Sequence, residues 1–171
     1  MTPVRHGAGA RWRVVVALWL ATSAGAADAA TCSATTTPVA FGSYDVYSAL
    51  NVSSTGSVAV TCATQASDPS GNFAIAYEVE LGSGGSGSTA LRQMRGVSTG
   101  ERLNYNLYRN NARSQLWGDG VTAGSVNASF TLNKLTAPSR TRTHTVFGRI
   151  PPLQDVAVDG YGDNVLVTIN Y

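Results

Sequence analysis

Few side chains of this sequence could carry catalysis, and they lie far apart. After residue 30 the chain has one histidine, His144, and a serine triad would need it beside a nucleophile and a carboxylate. The serines of the run 82–88 lie among glycines rather than at the start of a helix, where a nucleophile elbow would place one. Glu78 and Glu80 would lie about 7 Å apart on one strand, a spacing compatible with glycosidase chemistry, although it is also typical of a solvated strand face. We therefore predict that the protein is not an enzyme and uses no cofactor.

Metal-ligating residues are also sparse. Cys32 and Cys62 are the two cysteines of the chain, and a metal site built on them would need further Cys or His ligands, of which only His144 remains. In an oxidising compartment a disulfide is the favoured alternative. The segment 159–164 offers carboxylate and amide oxygens that calcium could use, but it lacks the spacing of an EF-hand loop. A tight loop before the last strand is favoured there, so we predict no metal site.

Trp117 is the one tryptophan after residue 30, and it stands beside Gly118-Asp119-Gly120. It has two interpretations. The indole could stack on a sugar or another ligand, or it could anchor a turn against the core, which is the favoured interpretation.

Residues 1–30 have the pattern of a secretory signal peptide. Arginines precede an apolar run at 14–20, and a stretch of small residues follows at 21–30. The apolar run is shorter than the roughly 18 residues that a spanning helix needs, so we expect no membrane anchor in the mature chain.

Removing residues 1–30 takes away three arginines and Asp28, which leaves nine basic and nine acidic residues. A balanced charge gives no reason to expect nucleic acid as a partner.

Apolar residues recur at every second position along most of the remaining chain, which predicts strands. The clearest case is 73–81, where Glu78 and Glu80 alternate with apolar residues. Further strands are predicted around 58–62, 103–107, 36–41, 129–135, 143–150 and 164–171. Arginines at 92, 95, 102, 109 and 113 are interpreted as solvated. Turn signals lie between the strands, and the Gly/Ser run 82–88 is interpreted as a flexible loop within one domain spanning residues 31–171. The fold class predicted is all-β, an antiparallel sandwich.

The last predicted strand carries an apolar face up to the final residue of the sequence. Val165, Val167, Ile169 and Tyr171 alternate with Leu166, Thr168 and Asn170. An immunoglobulin-like sandwich would add one more strand beside this one. We therefore expect an incomplete sandwich that lacks its final strand and has an open apolar groove, the alternative being a last strand that is paired on both sides.

Several segments, in this order, resemble the spore coat protein U domain family, whose members include subunits of archaic chaperone-usher pili. The similarity lies in Cys32, in the segment from Val39 to Asp45 (VAFGSYD), and in Gly56 to Cys62 (GSVAVTC). It continues in Leu103 to Tyr108 (LNYNLY), Leu116 to Gly120 (LWGDG), His144 to Pro151 (HTVFGRIP) and Tyr161 to Tyr171 (YGDNVLVTINY).

The resemblance implies an exported structural subunit of a bacterial surface fibre or coat, secreted through the periplasm to the cell surface. It implies a disulfide between Cys32 and Cys62. It also implies that a periplasmic chaperone first lends the missing strand, and that an outer-membrane usher and a neighbouring pilus subunit then replace it. The acceptor groove would be lined by Val165, Val167, Ile169 and Tyr171.

The family's polymerising subunits carry a donor extension before the first cysteine, whereas the predicted cleavage here leaves only a few residues before Cys32. This favours a tip or minor subunit, or a coat protein that assembles in another way. The alternative functions are a terminal adhesin, with Trp117 as a candidate contact, or a free-standing secreted binding protein. The source of the missing strand stays open between another chain and the protein's own N-terminus.

Overall fold

The structure is a computed structural model that describes residues 30–171. The described chain forms antiparallel strands and one short 3-10 helix, Gly84–Ser86, and no α-helix. The predicted signal peptide lies outside the described residues except for Ala30. Within 30–171, no helix has the length and apolar character needed to cross a bilayer. The strands are β1 Thr31–Thr37, β2 Val52–Ala63, β3 Asn72–Leu81, β4 Arg92–Gly96, β5 Arg102–Tyr108, β6 Val126–Asn133, β7 Ser139–Ile150, β8 Tyr161–Gly162 and β9 Val167–Asn170.

Two sheets of unequal size form the fold. The larger sheet has the strand order β1-β2-β7-β5-β4-β8, and the smaller has the order β6-β3-β9. β2 and β7 are the longest pair, with register from Val52 opposite Ile150 to Ala63 opposite Ser139. This confirms the predicted all-β, immunoglobulin-like antiparallel sandwich.

The core lies between the two sheets and follows the alternation of the sequence. One face of each strand is buried because successive side chains of a strand point to opposite sides. In β3 the buried residues are Ile75, Tyr77, Val79 and Leu81, while Glu78 and Glu80 face outward. The larger sheet contributes Val58, Val60, Cys62, Leu103, Tyr105, Leu107, Val146 and Ile150.

The prediction of a strand at 36–41 is wrong for residues 38–41. β1 ends at Thr37, because Pro38 has no backbone N–H to continue the ladder. The chain then turns inward and crosses the inner face of the larger sheet at two glycines. A Cβ on Gly56 would lie 2.5 Å from the Thr37 carbonyl oxygen, and one on Gly148 would lie 2.6 Å from Phe41. The glycines therefore allow residues 37–41 to close one end of the sandwich, which we call the crossing end.

Other strand bounds also differ from the sequence prediction. β7 begins four residues earlier than predicted, at Ser139, and β9 is shorter than predicted, at Val167–Asn170. β4 and β8 were not predicted, because Arg92–Gly96 carries two arginines and a glutamine and β8 has only two residues. The Gly/Ser run includes the 3-10 helix, so part of the predicted loop has regular structure.

A disulfide joins Cys32 of β1 to Cys62 of β2, which are directly opposed in the register of the two strands. The predicted pairing is confirmed, and the described residues contain no free cysteine. The crosslink fixes β1 to the edge of the larger sheet.

Candidate functional site

β9 leaves one edge of the smaller sheet open. It pairs with β3, Val167 opposite Leu81 and Ile169 opposite Val79, and no strand of the described chain pairs with its other edge. The N–H of Gly82, just after β3, donates to the carbonyl of Leu166, just before β9, at 2.8 Å. This hydrogen bond continues the pairing of the two strands by one residue. The free edge presents backbone N–H and C=O groups that another strand could pair with.

The inward side chains of this last segment are only partly covered. Val165, Val167 and Ile169 pack against the core and are half-buried, whereas Tyr171 is 58% exposed. Leu166 points to the opposite side and is 73% exposed. The inward residues of β3, the neighbouring strand, are buried by contrast, which shows that β9 lacks cover on its open side.

β1 forms the opposite wall. Ala34 and Thr36 are paired with Val60 and Val58, so they lie on the inward side of the larger sheet. Val58 and Val60 are buried, yet Ala34 and Thr36 are exposed. Inward-facing residues of a sandwich are normally covered by the facing sheet. Here the facing sheet ends at β9, and a groove runs between the edges of β1 and β9.

A cavity of about 380 Å³ lies in this groove near the crossing end. Its walls are Thr36 and Thr37 on one side and Val165 and Val167 on the other. Its remaining lining is mostly apolar and includes Val39, Phe41, Val58, Leu81, Tyr105, Leu107, Val146 and Tyr161, together with the polar residues Ser57, Asp163 and Asn164. The groove is thus a largely apolar slot next to an unpaired strand edge.

Asp163 fixes the chain at the entrance to β9. Its carboxylate accepts a hydrogen bond from the Tyr105 hydroxyl at 2.7 Å and another from the Gly85 N–H at 2.8 Å. Burial, followed by the hydrogen bond to Asp163, raises the pKa of Tyr105 from its usual value, so this hydroxyl remains protonated. Asp163 and Tyr105 therefore join the segment before β9 to the core of the larger sheet.

Arg92 contacts the segments next to the entrance of β9. The interpretation of this arginine as solvated is wrong, because its side chain is completely buried. Its guanidinium donates to the carbonyls of Leu81, Gly82 and Trp117 and to the Asn106 side chain, at 2.8–2.9 Å. Burial lowers the pKa of Arg92, while Tyr105 and Asp163 act in the opposite direction. Two of its acceptors are at the end of β3, where β9 begins to pair. Only the tertiary structure reveals this role, since the sequence shows one arginine among several.

Trp117 cannot serve as a ligand contact, because its side chain is fully buried. Its indole N–H donates to the carbonyl of Val79 at 2.9 Å, and His144 packs edge-on against it. The structure thus contains the second of the two predicted arrangements, a tryptophan that anchors a turn against the core.

His144 is half-buried between the sheets and lies 2.9 Å from the Tyr77 hydroxyl through its Nε2 atom. Burial, and secondarily Arg142, lower its pKa. Its contacts with Tyr77 and Trp117 are those of a histidine packed in a core.

The carboxylates singled out in the sequence have local structural partners. The Ser125 hydroxyl donates to Glu78, and the Asn170 amide donates to Glu80 at 3.0 Å. Asp159 accepts hydrogen bonds from the N–H groups of Ser98 and Thr99, and these bonds help to lower its pKa to about 2. Asp159 thus joins the β4–β5 turn to the loop before β8. Residues 30–171 contain no group of three or more His, Cys, Asp or Glu that could hold a metal ion.

The match to a family model covers residues 18–168, and the model is that of the Spore Coat Protein U domain. The chain belongs to this family. No curated protein sequence matches the chain.

Among solved structures, this Spore Coat Protein U domain is similar to a chain in the CsuC–CsuE chaperone–tip adhesion subunit pre-assembly complex. That complex comes from the archaic chaperone-usher Csu pili of Acinetobacter baumannii. The TM-score is 0.50 at 21% sequence identity, and the alignment covers 83% of this chain but 40% of the other. The domain therefore spans less than half of the chain that it resembles, and the similarity supports the fold.

Proposed function

We propose that this protein is an exported structural subunit of a bacterial surface fibre or coat that is completed by a strand from another chain. The unpaired edge of β9, next to an apolar groove whose far wall is β1, carries this proposal. A strand inserted there would pair its backbone with β9 and place alternate side chains between the sheets. Its role would be architectural, without a cofactor.

The partners follow from the family and from the physics of the open edge. An apolar groove with free backbone groups would associate indiscriminately if it stayed empty. A periplasmic chaperone would occupy it first, and a neighbouring subunit would replace the chaperone at an outer-membrane usher. The similarity to a chain of a chaperone–subunit pre-assembly complex supports a chaperone as a partner.

The arrangement of β1 supports another chain, rather than the protein's own N-terminal strand, as the source of the missing strand. β1 pairs with β2 through seven consecutive residues, and the disulfide fixes the beginning of that pairing. Moving β1 into the groove would break this ladder and would remove one wall of the groove.

The first test is to express the mature chain in a bacterial periplasm with and without its cognate chaperone. We expect soluble protein only with the chaperone, eluting from size exclusion as a one-to-one complex. A protease-resistant monomer obtained without the chaperone would contradict the proposal, and would indicate a free-standing coat or binding protein.

A matched pair of variants would locate the contact. Val167→Arg places a charge in the groove. Leu166→Arg places the same charge one residue earlier, where the side chain is exposed to solvent outside the groove. An unpaired buried charge is costly, so we expect Val167→Arg to abolish the complex and Leu166→Arg to retain it. Equal complex formation by the two variants would place the contact elsewhere.

A further inference from the structure

Asp68 carries a buried carboxylate at the end of the sandwich opposite the crossing end. It lies in the loop between β2 and β3 and is 6% exposed. The backbone N–H of Ala30 donates to both of its oxygens, at 3.0 Å to Oδ1 and 3.2 Å to Oδ2. Oδ2 also accepts the N–H of Gln65 at 2.5 Å. Both carboxylate oxygens are therefore directed at the nitrogen of Ala30.

No cationic side chain of residues 30–171 pairs with this carboxylate. Lys134 lies close by, but its ammonium group donates to the backbone carbonyls of Ala66 and Asp68, at 2.5 and 3.4 Å. A buried carboxylate is costly unless hydrogen bonds and a positive charge compensate for it. A positive charge on the nitrogen of Ala30 would lie within hydrogen-bond distance of both oxygens.

Ala30 is itself buried and has an unusual backbone conformation. It is 2% exposed, and its side chain belongs to the hydrophobic core. Its φ angle is 60°, in the left-handed region that alanine rarely adopts because Cβ meets the neighbouring backbone. The angle φ is measured against the carbonyl carbon of the preceding residue. A chain that begins at Ala30 has no φ angle there, so this steric conflict is absent.

The sequence offers a cut at this position. Signal peptides are removed after a small-x-small triplet, and the triplet 27–29 directly precedes Ala30. A second triplet, 24–26, would instead leave Ala27 as the first residue. The sequence does not distinguish the two positions. The contact between Ala30 and Asp68 favours the first of them.

We propose that a signal peptidase cuts the chain after Ala29 and that the α-ammonium group of Ala30 then forms a buried ion pair with Asp68. Hydrolysis breaks the bond between the Ala29 carbonyl carbon and the Ala30 nitrogen. The oxygen of one water completes the Ala29 carboxylate, and both protons of that water end on the nitrogen, which becomes the ammonium group. The two Asp68 oxygens that accept from the N–H accept from the ammonium instead.

This ion pair would fix the beginning of β1. Thr31 follows Ala30 and pairs with Ala63, and the disulfide between Cys32 and Cys62 lies one residue further along. The ion pair and the disulfide thus hold the same end of the strand. Removal of the leader would complete the attachment of β1 to the sandwich.

The first residue of the mature chain tests the position of the cut. The full-length chain is expressed in a bacterial periplasm with its chaperone, and the mass and N-terminal sequence of the product are determined. We expect Ala30 as the first residue. A product that begins at Ala27, or one that retains the leader, would overturn the inference. The measurement works equally on denatured protein, so its outcome does not depend on the proposed function.

The reactivity of the α-amine tests the ion pair. A free α-amino group has a pKa of about 7.7–8.0 and reacts readily with an acetylating reagent near pH 8. Pairing with a carboxylate favours the protonated, unreactive form. We therefore expect the α-amine of the folded chain to be acetylated at least about tenfold more slowly than that of the chain in urea. Equal rates in the two states would overturn the inference.

A matched pair of variants separates the ion pair from simple burial. Asp68→Asn keeps the shape of the side chain and removes its charge, so acetylation should return most of the way to the rate in urea. Asp155→Asn removes an exposed carboxylate between β7 and β8 and should leave the amine protected. If Asp68→Asn is acetylated as slowly as the unaltered chain, burial alone protects the amine and the ion pair is refuted.

The pH dependence of stability provides a test that needs no variant. Because the ion pair raises the pKa of the α-amine in the folded chain, its contribution is complete below about pH 7.7 and is lost as the pH rises through the folded value. We expect the urea midpoint of the unaltered chain to fall between about pH 7.5 and pH 9.5. A constant midpoint over this range would overturn the inference, whether or not Asp68→Asn folds.

Discussion

Arg92 shows how a single residue can organise the end of a groove that it does not line. Its guanidinium binds carbonyl oxygens from the end of β3, from Gly82 and from Trp117. A planar group with five N–H donors can satisfy several acceptors at once, which lysine cannot do. The chain therefore uses one buried cation to hold together the segments from which β9 begins.

Replacing this arginine should weaken the fold. Arg92→Met keeps an apolar stem but leaves buried carbonyls without donors, and we expect a loss of roughly 2–4 kcal/mol in the free energy of unfolding. Urea unfolding of the chain in its soluble complex would measure it. Arg95→Met is the matched control, since Arg95 is exposed on the same strand, and it should change stability by less than about 0.5 kcal/mol. Similar values for both variants would contradict the role assigned to Arg92.

His144 gives stability a dependence on pH. The folded state lowers the pKa of His144 below the usual value of 6.5, so the unfolded chain binds this proton more readily. The stability contributed by neutral His144 is complete above about pH 6.5 and decreases as the pH falls below that value.

A histidine variant would isolate this effect. We expect His144→Phe to flatten the decline in unfolding midpoint between about pH 7 and pH 5.5, whereas Tyr77→Phe, which keeps the histidine, should preserve it. The midpoint can be followed by urea titration at each pH. A decline that persists unchanged in His144→Phe would assign the pH dependence to other groups.

At the scale of the element, β1 is attached to the sheet in an unusual way. Six of its seven residues are exposed, and Cys32 is half-buried, so the strand buries little apolar surface. Its attachment depends on the ladder with β2 and on the disulfide. The wall of the groove opposite β9 is therefore held by backbone pairing and a covalent bond rather than by side-chain packing.

Removing the crosslink should loosen this wall first. For Cys32→Ala combined with Cys62→Ala, the loop-entropy model predicts a loss of roughly 3–4 kcal/mol, since the bond closes a loop of about thirty residues. Amide hydrogen exchange should show faster exchange in β1 than in β7, the long central strand on the other side of β2. If the amides of β1 exchange as slowly in the double variant as in the crosslinked chain, the disulfide does not hold the strand, which would contradict this prediction.

At the scale of the whole molecule, the function proposed depends on the unequal size of the two sheets. Six strands face three, and the smaller sheet ends at β9 before it covers the inward side of β1. Residues 37–41 close the sandwich at one end, where Gly56 and Gly148 leave room for them. The remaining opening lies between β1 and β9 and is bordered by an unpaired strand edge, to which an extended segment of another chain could add.

The sequence by itself determined the fold class, most strand positions and the disulfide. Alternation of apolar and polar residues is a local property, and the export predicted from residues 1–30 made pairing of the two cysteines the favoured expectation. It also pointed to the face of Val165, Val167 and Ile169, because that alternation continues to the end of the chain.

Only the tertiary structure decided which edges face each other. The exposure of Ala34 and Thr36, the burial of Arg92, and the inward path of residues 38–41 all depend on contacts between segments distant in sequence. Periodicity states which side of a strand is apolar, but not whether another strand covers that side. That is why the sequence could predict an apolar last strand, while the depth of its groove and the wall opposite it required the packed molecule.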